Sequence, residues 1–137
     1  MSTRIDMIGI FVQDLQRMVA FYRDVLGFLI EWDGVGPYAE FKQPGVRFSM
    51  YERGQLPQLL GQTPSYPAGL NGSFELAIDL PSPADVDREF ERAVKAGARP
   101  VYAPRLEPWG MYSSMVADPE GNLIEIGSWN REAQNEG

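Results

Sequence analysis

The feature that most constrains this chain is an internal echo. From Ile8 to Val12 the residues Ile8, Ile10 and Val12 alternate with Gly9 and Phe11, and Met7 precedes them. That two-residue period belongs to a strand with one buried face. Asp14 can cap the segment that follows. In it Leu15, Met18, Val19, Tyr22, Val25 and Leu26 recur at helical spacing, and Gly27 supplies a stop. A shift that carries Asp14 onto Ser82 also carries Ile8, Ile10 and Val12 onto Leu76, Ile78 and Leu80. The same shift takes Met18 to Val86, Tyr22 to Phe90, Val25 to Ala93 and Leu26 to Val94. Two amphipathic elements that agree in order and in phase point to an internal duplication.

The rest of each half reads as short strands. After the first helix come FLIEW (Phe28–Trp32), PYAEF (Pro37–Phe41) and VRFSMY (Val46–Tyr51), separated by DGVG and KQPG turn signals. After the second come segments around Arg99–Tyr102, Tyr112–Val116 and Asn122–Ile126. Ser82, Pro83 and Asp85 combine an N-cap, an N1 proline and a capping-box acid for the second helix. The expectation is one α+β domain over residues 1–137, built from two βαβββ repeats. The first repeat spans residues 5–53 and the second 74–129. A Gly- and Pro-rich connector fills 54–73, and 130–137 form a tail. In such an arrangement a curved mixed sheet carries the helices outside, and its opposite faces line a cavity.

Composition removes whole classes of chemistry. The chain has no histidine and no cysteine, which excludes Ser-His-Asp and Cys-His nucleophile schemes and disulfides. Tight transition-metal binding also loses its usual imidazole and thiolate donors. A net charge of −7 without a basic cluster argues against nucleic acid. No apolar run is long enough to span a membrane, and MSTRIDM lacks the apolar stretch of a signal peptide. A cytoplasmic protein is expected.

FVQDLQRMVAFYRDVLGF in the first half and WGMYSSMVADPEGNLIEI in the second resemble the vicinal oxygen chelate superfamily. That superfamily includes glyoxalase I, bleomycin-resistance proteins and extradiol dioxygenases. The similarity runs from Ile5 to Trp129 in the right order. It implies the glyoxalase/bleomycin-resistance fold, and it implies that small members pair as homodimers. Its enzymes hold a divalent metal with His and Glu side chains from four strands. By matching motifs, those positions fall at Met7, near Phe48, at Glu75 and at Glu125. Met7 and Glu75 are twins in the internal repeat. A thioether and a phenyl ring take two of the four places, so no metal site is expected, only the alternative of a weakly bound divalent ion through the two carboxylates.

Two functional readings follow. The first is a metal-free protein that binds a small, partly apolar or aromatic molecule, for resistance or sequestration. Met7, Phe11, Phe48, Met50, Trp109 and Tyr112 are the candidate ligand-binding residues, within a wider set that includes Trp32, Tyr38 and Met111. Trp109 is the leading candidate for stacking. The second is a lyase or isomerase in which Glu75 and Glu125 move a proton next to a carbonyl. Dioxygenase chemistry fits less well, because non-haem iron usually needs two His and a carboxylate. Arg47 and Arg105 are candidates for pairing with an anionic ligand. Arg47 alternates away from Phe48, towards solvent or a partner. PRLEPWGMY (Pro104–Tyr112) reads as a loop.

Overall fold

A computed structural model describes residues 2–129; the tail assigned to 130–137 lies outside them. The chain divides into two compact units, the first ending at Tyr66 and the second beginning at Pro67.

The first unit opens with β1 (Met7–Val12), followed by α1 (Leu15–Ala20) and one π-helical turn over Phe21–Val25. Asp14 caps α1 by accepting a hydrogen bond from the Arg17 N–H at 3.0 Å. Leu15, Met18, Val19, Phe21 and Tyr22 are buried, so the periodic face is the packed face. Three strands follow: β2 (Ile30–Glu31), β3 (Tyr38–Phe41) and β4 (Arg47–Glu52). They form a mixed sheet in the order β1-β4-β3-β2, with β1 parallel to β4 and the other pairs antiparallel. Only two residues of FLIEW pair. Beyond them Asp33 accepts backbone N–H bonds from Val35 and Gly36, and Trp32 Nε1 donates to the Gly36 carbonyl. That local loop competes with extension of the strand.

The stretch after β4 is not structureless. A 3-10 turn at Arg53–Gln55 leads into α2 (Leu56–Leu60), anchored by the buried Leu56. Gly61, at φ 73°, ends it in the left-handed conformation that glycine adopts without strain.

The second unit repeats the plan. β5 (Asn71–Asp79) is followed by α3 (Pro83–Lys95), β6 (Arg99–Leu106), β7 (Tyr112–Ala117) and β8 (Asn122–Ser128). The sheet order is β5-β8-β7-β6, with β5 and β8 parallel. The Ser82 hydroxyl caps α3 as its spacing predicts, accepting from the Asp85 N–H at 3.3 Å. Val86 and Ala93 pack α3 against β6, β7 and β8. The burial of β5 alternates residue by residue, with Leu76 and Ile78 on the covered side and Glu75, Ala77 and Asp79 exposed.

Two α+β units of βαβββ form, each a four-stranded mixed sheet with a helix on one face, are the architecture the sequence leads one to expect. The loop expected at Pro104–Tyr112 shortens. β6 continues through Leu106, so Pro104–Leu106 are strand and only the end of PRLEPWGMY is loop. There the Glu107 N–H donates to the Met111 carbonyl, closing a short turn.

Candidate functional site

In the second unit, the DPEGN turn sets everything that follows it. Asp118 is buried, and its Oδ1 accepts from the backbone N–H groups of Glu120 and Asn122 at 2.9 and 3.0 Å. Its Oδ2 accepts from Asn122 Nδ2 at 2.8 Å, and Asn122 Oδ1 accepts from Asn71 Nδ2 at 3.0 Å. This bonding pins the start of β8 to β5. Side chains alternate from that point. Ile124 and Ile126 enter the core beneath α3, and Glu125 is delivered to the opposite, open face. The carboxylate between two isoleucines is therefore a consequence of strand geometry.

Register identifies its neighbours. Glu125 pairs with Ala77 on β5 and Met115 on β7, and Glu75 lies one row away on β5. Tyr102 on β6 is in register with Met115, and Arg105 with Ser113. Ser113 in turn pairs with Gly127. Glu107, only 7% exposed, accepts from Arg105 Nε at 2.7 Å and from the Ser113 hydroxyl at 3.1 Å. The Tyr102 hydroxyl lies 3.2 Å from Ser113 Oγ, and the Arg105 guanidinium stacks 4.0 Å over the Tyr102 ring. Met111 completes this face: a Cβ added to Gly127 would meet Met111 Cε at 2.3 Å.

These surroundings separate two carboxylates. The Arg105 guanidinium, assisted by Ser113 and opposed by burial, holds Glu107 below the usual carboxylate range. Burial, followed by the charges of Glu75 and Glu107, pushes Glu125 above it. Glu125 thus holds its proton to higher pH than Glu107 does.

In the first unit, alternation distributes the candidate residues differently from the sequence expectation. Met7 and Phe11 lie on the open face, in register with Arg47 and Tyr51. Phe48 and Met50 do not. Both are on the helix-covered face, 8% and 0% exposed, and Phe48 packs on Phe41 with ring centroids 4.5 Å apart. They are core residues, and the open-face residue between them is Ser49. The repeat makes the same point. Ile10 pairs with Met50 as its twin Ile78 pairs with Ile126, so Ser49 is the counterpart of Glu125.

Ser49 carries no charge and is covered. The Tyr38 hydroxyl donates to Glu40 Oε2 at 2.9 Å, lies 3.6 Å from Met7 Sδ and is hydrogen-bonded by Ser49. Arg47 in turn donates to Glu40 and Asp6, so it is engaged within the unit. Arg105 is likewise engaged with Glu107. Of the remaining candidates, Trp109 is 56% exposed on the β6–β7 turn. Tyr112 lies on the side of α3, where its hydroxyl donates to Asp87 Oδ1 at 2.7 Å and its pKa is pushed up to about 12 by burial and that bond. The structure therefore does not place Tyr112 with Glu125. Trp32 belongs to the turn after β2.

The donor set does not fit a tightly held transition metal. At the positions the repeat makes equivalent stand a thioether (Met7), a covered hydroxyl (Ser49) and two carboxylates (Glu75 and Glu125), with no imidazole in the chain. Among the described residues no three His, Cys, Asp or Glu side chains are grouped to share one ion.

A duplicated βαβββ chain whose open sheet faces present polar and aromatic side chains defines a class of small proteins with one scaffold and several chemistries. The chain belongs to the Glyoxalase/Bleomycin resistance protein/Dioxygenase superfamily, whose sequence profile matches residues 4–126. It is 26% identical over 122 residues to the Bacillus subtilis (strain 168) protein YraH, covering 87% of this chain and 93% of that one. An uncharacterized protein of Mycobacterium tuberculosis (strain ATCC 25618 / H37Rv) is 35% identical over 85 residues, 62% of this chain and 49% of that protein. Among solved structures, a glyoxalase/bleomycin resistance protein/dioxygenase from Nocardioides superposes with a TM-score of 0.79 at 24% identity, over 94% of this chain and 85% of the other. A family enzyme from Burkholderia phytofirmans PsJN gives 0.77 at 25% identity, over 92% and 98% of the two chains. Lactoylglutathione lyase from Agrobacterium tumefaciens gives 0.70 at 21% identity, over 93% and 94%.

Proposed function

We propose that this chain is a metal-free member of the superfamily that binds a small, partly apolar or aromatic molecule on the open faces of its sheets. The observation that carries this reading is the substitution pattern on those faces. Where a metalloenzyme needs imidazole and carboxylate donors, this chain has Met7 and a covered Ser49 in one unit and only Glu75 and Glu125 in the other. Around them stand Phe11, Tyr38 and Tyr51 in the first unit and Tyr102 in the second, where Met115 and Met111 are themselves buried. Such surfaces suit apolar ligands with a few polar contacts. Sequestration or resistance needs nothing more. We also propose a homodimer. β1 and β5 each form one edge of their sheets, and β1 exposes Met7, Ile8 and Phe11. An apolar edge of this kind invites pairing with a second copy.

The test is thermal unfolding in EDTA and then in excess Ni²⁺, Co²⁺, Zn²⁺, Mn²⁺ or Mg²⁺. An ion present at 100 times its dissociation constant adds about 2.7 kcal/mol, hence several degrees. The expected result is no shift with any of them; a rise with one ion overturns the metal-free reading. One observation favours a second reading, a lyase or isomerase that transfers a proton next to a carbonyl. Glu125, whose proton affinity is raised beside an ionised Glu107, has the properties of a general base. Under that reading Glu125→Gln lowers turnover by about 100-fold or more. Under the binding reading the same variant keeps its affinity for an apolar ligand.

A further inference from the structure

The open face of the first unit contains an aromatic row. Phe11 on β1, Tyr51 on β4 and Tyr38 on β3 occupy one line of cross-strand pairs, Phe11 opposite Tyr51 and Tyr51 opposite Tyr38. The three side chains do not stand side by side. The Tyr38 hydroxyl approaches Met7, which lies two strands away and four residues along β1 from Phe11. To reach it the Tyr38 ring must lie across β4 and above Ser49, which accounts for Ser49 being only 2% exposed on an open face. Gly9 makes this possible. It sits beside Ser49 without a side chain, and a Cβ there would come within 3.1 Å of Ser49 Oγ. Tyr38 therefore forms a floor. Tyr51 meets it at 65° with centroids 6.4 Å apart, as a wall, and Phe11 continues the wall along the edge strand.

Both ends of this recess are tied down. Glu40 holds the Tyr38 hydroxyl, and Arg47, itself bonded to Asp6, fixes Glu40 in turn. At the other end Arg53 Nε donates to the Phe11 carbonyl at 3.2 Å while its guanidinium lies 4.1 Å over the Tyr66 ring. Even so, Phe11 is 48% exposed and Tyr38 37% exposed. Tyr38, held by Glu40 and still this exposed, is prepared for a partner, because little of its side-chain entropy remains to be lost on contact, and Phe11 is set beside it by the register of β1. The second unit has no such row. The twins of Phe11 and Tyr51 are Asp79 and Gly127, and the position matching Tyr38 is Ser113.

We propose that Tyr38, Tyr51 and Phe11 form a subsite for a planar aromatic ring, one or two fused rings wide, stacked on Tyr38 and bounded by Tyr51 and Phe11. The width follows from the row, which crosses three strands about 4.8 Å apart. This subsite rests on the reading of the open faces as ligand-binding and names the chemistry of the ligand on one of them.

The experiment uses the full chain with aromatic side chains labelled for NMR, titrated with 2-naphthol and, separately, with its saturated analogue decahydro-2-naphthol. Saturable ring-current shifts at Phe11, Tyr38 and Tyr51 with 2-naphthol, at least threefold weaker binding of the saturated analogue, and a loss of about threefold to tenfold in Tyr51→Leu and in Phe11→Leu are expected, the worth of one ring contact. Both positions are at least partly exposed, so the variants keep the core of the unit. Tyr38→Phe keeps the floor ring but frees it from Glu40, and it is expected to weaken binding by less than Tyr51→Leu. Shifts confined to the Glu75 and Glu125 face overturn the subsite and leave the broader ligand reading standing. No saturable shift at any residue overturns both. A row shielded by a second copy, seen as Phe11 and Tyr38 signals that depend on protein concentration and not on 2-naphthol, assigns the face to self-association and overturns the subsite.

Discussion

Gly121→Ala isolates the contact that decides where Glu125 points. Gly121 closes the DPEGN turn at φ +87°, and a Cβ built there would lie 2.0 Å from the Gly69 carbonyl oxygen, 3.0 Å from its carbonyl carbon and 3.4 Å from Leu70 Cα. The obstacle is backbone, so no side-chain rotation relieves it. The same approach lets the Asn71 N–H donate to the Gly121 carbonyl at 2.7 Å, which helps to set the register of β5 against β8. Two costs add. The left-handed backbone costs a non-glycine residue about 1–2 kcal/mol, and forcing a methyl into a closed contact costs about 1–3 kcal/mol more. The expected loss is about 2–5 kcal/mol, or at least roughly 8–20 °C of unfolding midpoint at about 4 °C per kcal/mol. Gly45→Ala is the matched control. Its φ is +84°, and a Cβ there meets nothing within 4 Å, so only the backbone cost of about 1–2 kcal/mol applies. Urea unfolding of both variants, followed by Trp fluorescence, gives the difference directly. Gly121→Ala falling within about 0.5 kcal/mol of Gly45→Ala would refute the close approach, and with it the argument that this turn holds β8 in register.

Glu125→Gln tests the environment of that carboxyl without any ligand. Because burial favours its neutral form, the folded chain keeps the Glu125 proton to higher pH than the unfolded chain does. Wild-type stability therefore declines as pH rises from the ordinary glutamate range through the raised folded value, and the glutamine variant is spared that decline. The variant is expected to gain on the wild type across this window and to hold a constant difference above it; a difference independent of pH contradicts the assignment. Ser82→Ala removes the α3 cap that accepts from the Asp85 N–H and is expected to cost about 1 kcal/mol in urea unfolding, against no measurable change for a cap contributing nothing.

Much of this was legible in the sequence, and the misreading of Phe48 and Met50 has a single cause. Periodicity gave the helix faces, because Leu15, Met18 and Val86 must be buried for α1 and α3 to pack at all. It also placed Met7, Phe11, Glu75 and Glu125 opposite the aliphatic faces of their strands. It failed on β4. RFSMY alternates between charged, aromatic and polar residues, and an exposed Phe and a buried Phe look alike in sequence. The register of β4 against β1 puts Phe48 and Met50 inside and Ser49 and Tyr51 outside, a one-residue displacement that exchanges the whole set. The duplication held a signal that would have found this. Aligning β4 to β8 through Ile126 places Ser49 opposite Glu125 without any coordinates. Glu107 and Ser113 carried no comparable signal. Their partnership depends on a turn that returns β7 against β6, which no local pattern specifies.

The two units show how one scaffold diverges. Residues turned towards the helices are largely apolar in both repeats, as in the pairs Ile10 and Ile78, Met50 and Ile126, and Met18 and Val86, and Ser114, the buried counterpart of Ala39, satisfies its hydroxyl on the Ile126 carbonyl. Each of these is tied to packing, and a polar replacement there costs several kcal/mol. Residues turned away have no such tie, and every comparable position differs: Met7 and Glu75, Phe11 and Asp79, Ser49 and Glu125, Tyr51 and Gly127, Glu40 and Met115. The first face has become aromatic, with its acidic residue neutralised by Arg47. The second has kept carboxylates, one clamped by Arg105 and one left to hold a proton. Strand alternation separates these two kinds of position residue by residue. Ligand chemistry can therefore be rewritten on one face of a repeat while the core that supports it stays the same.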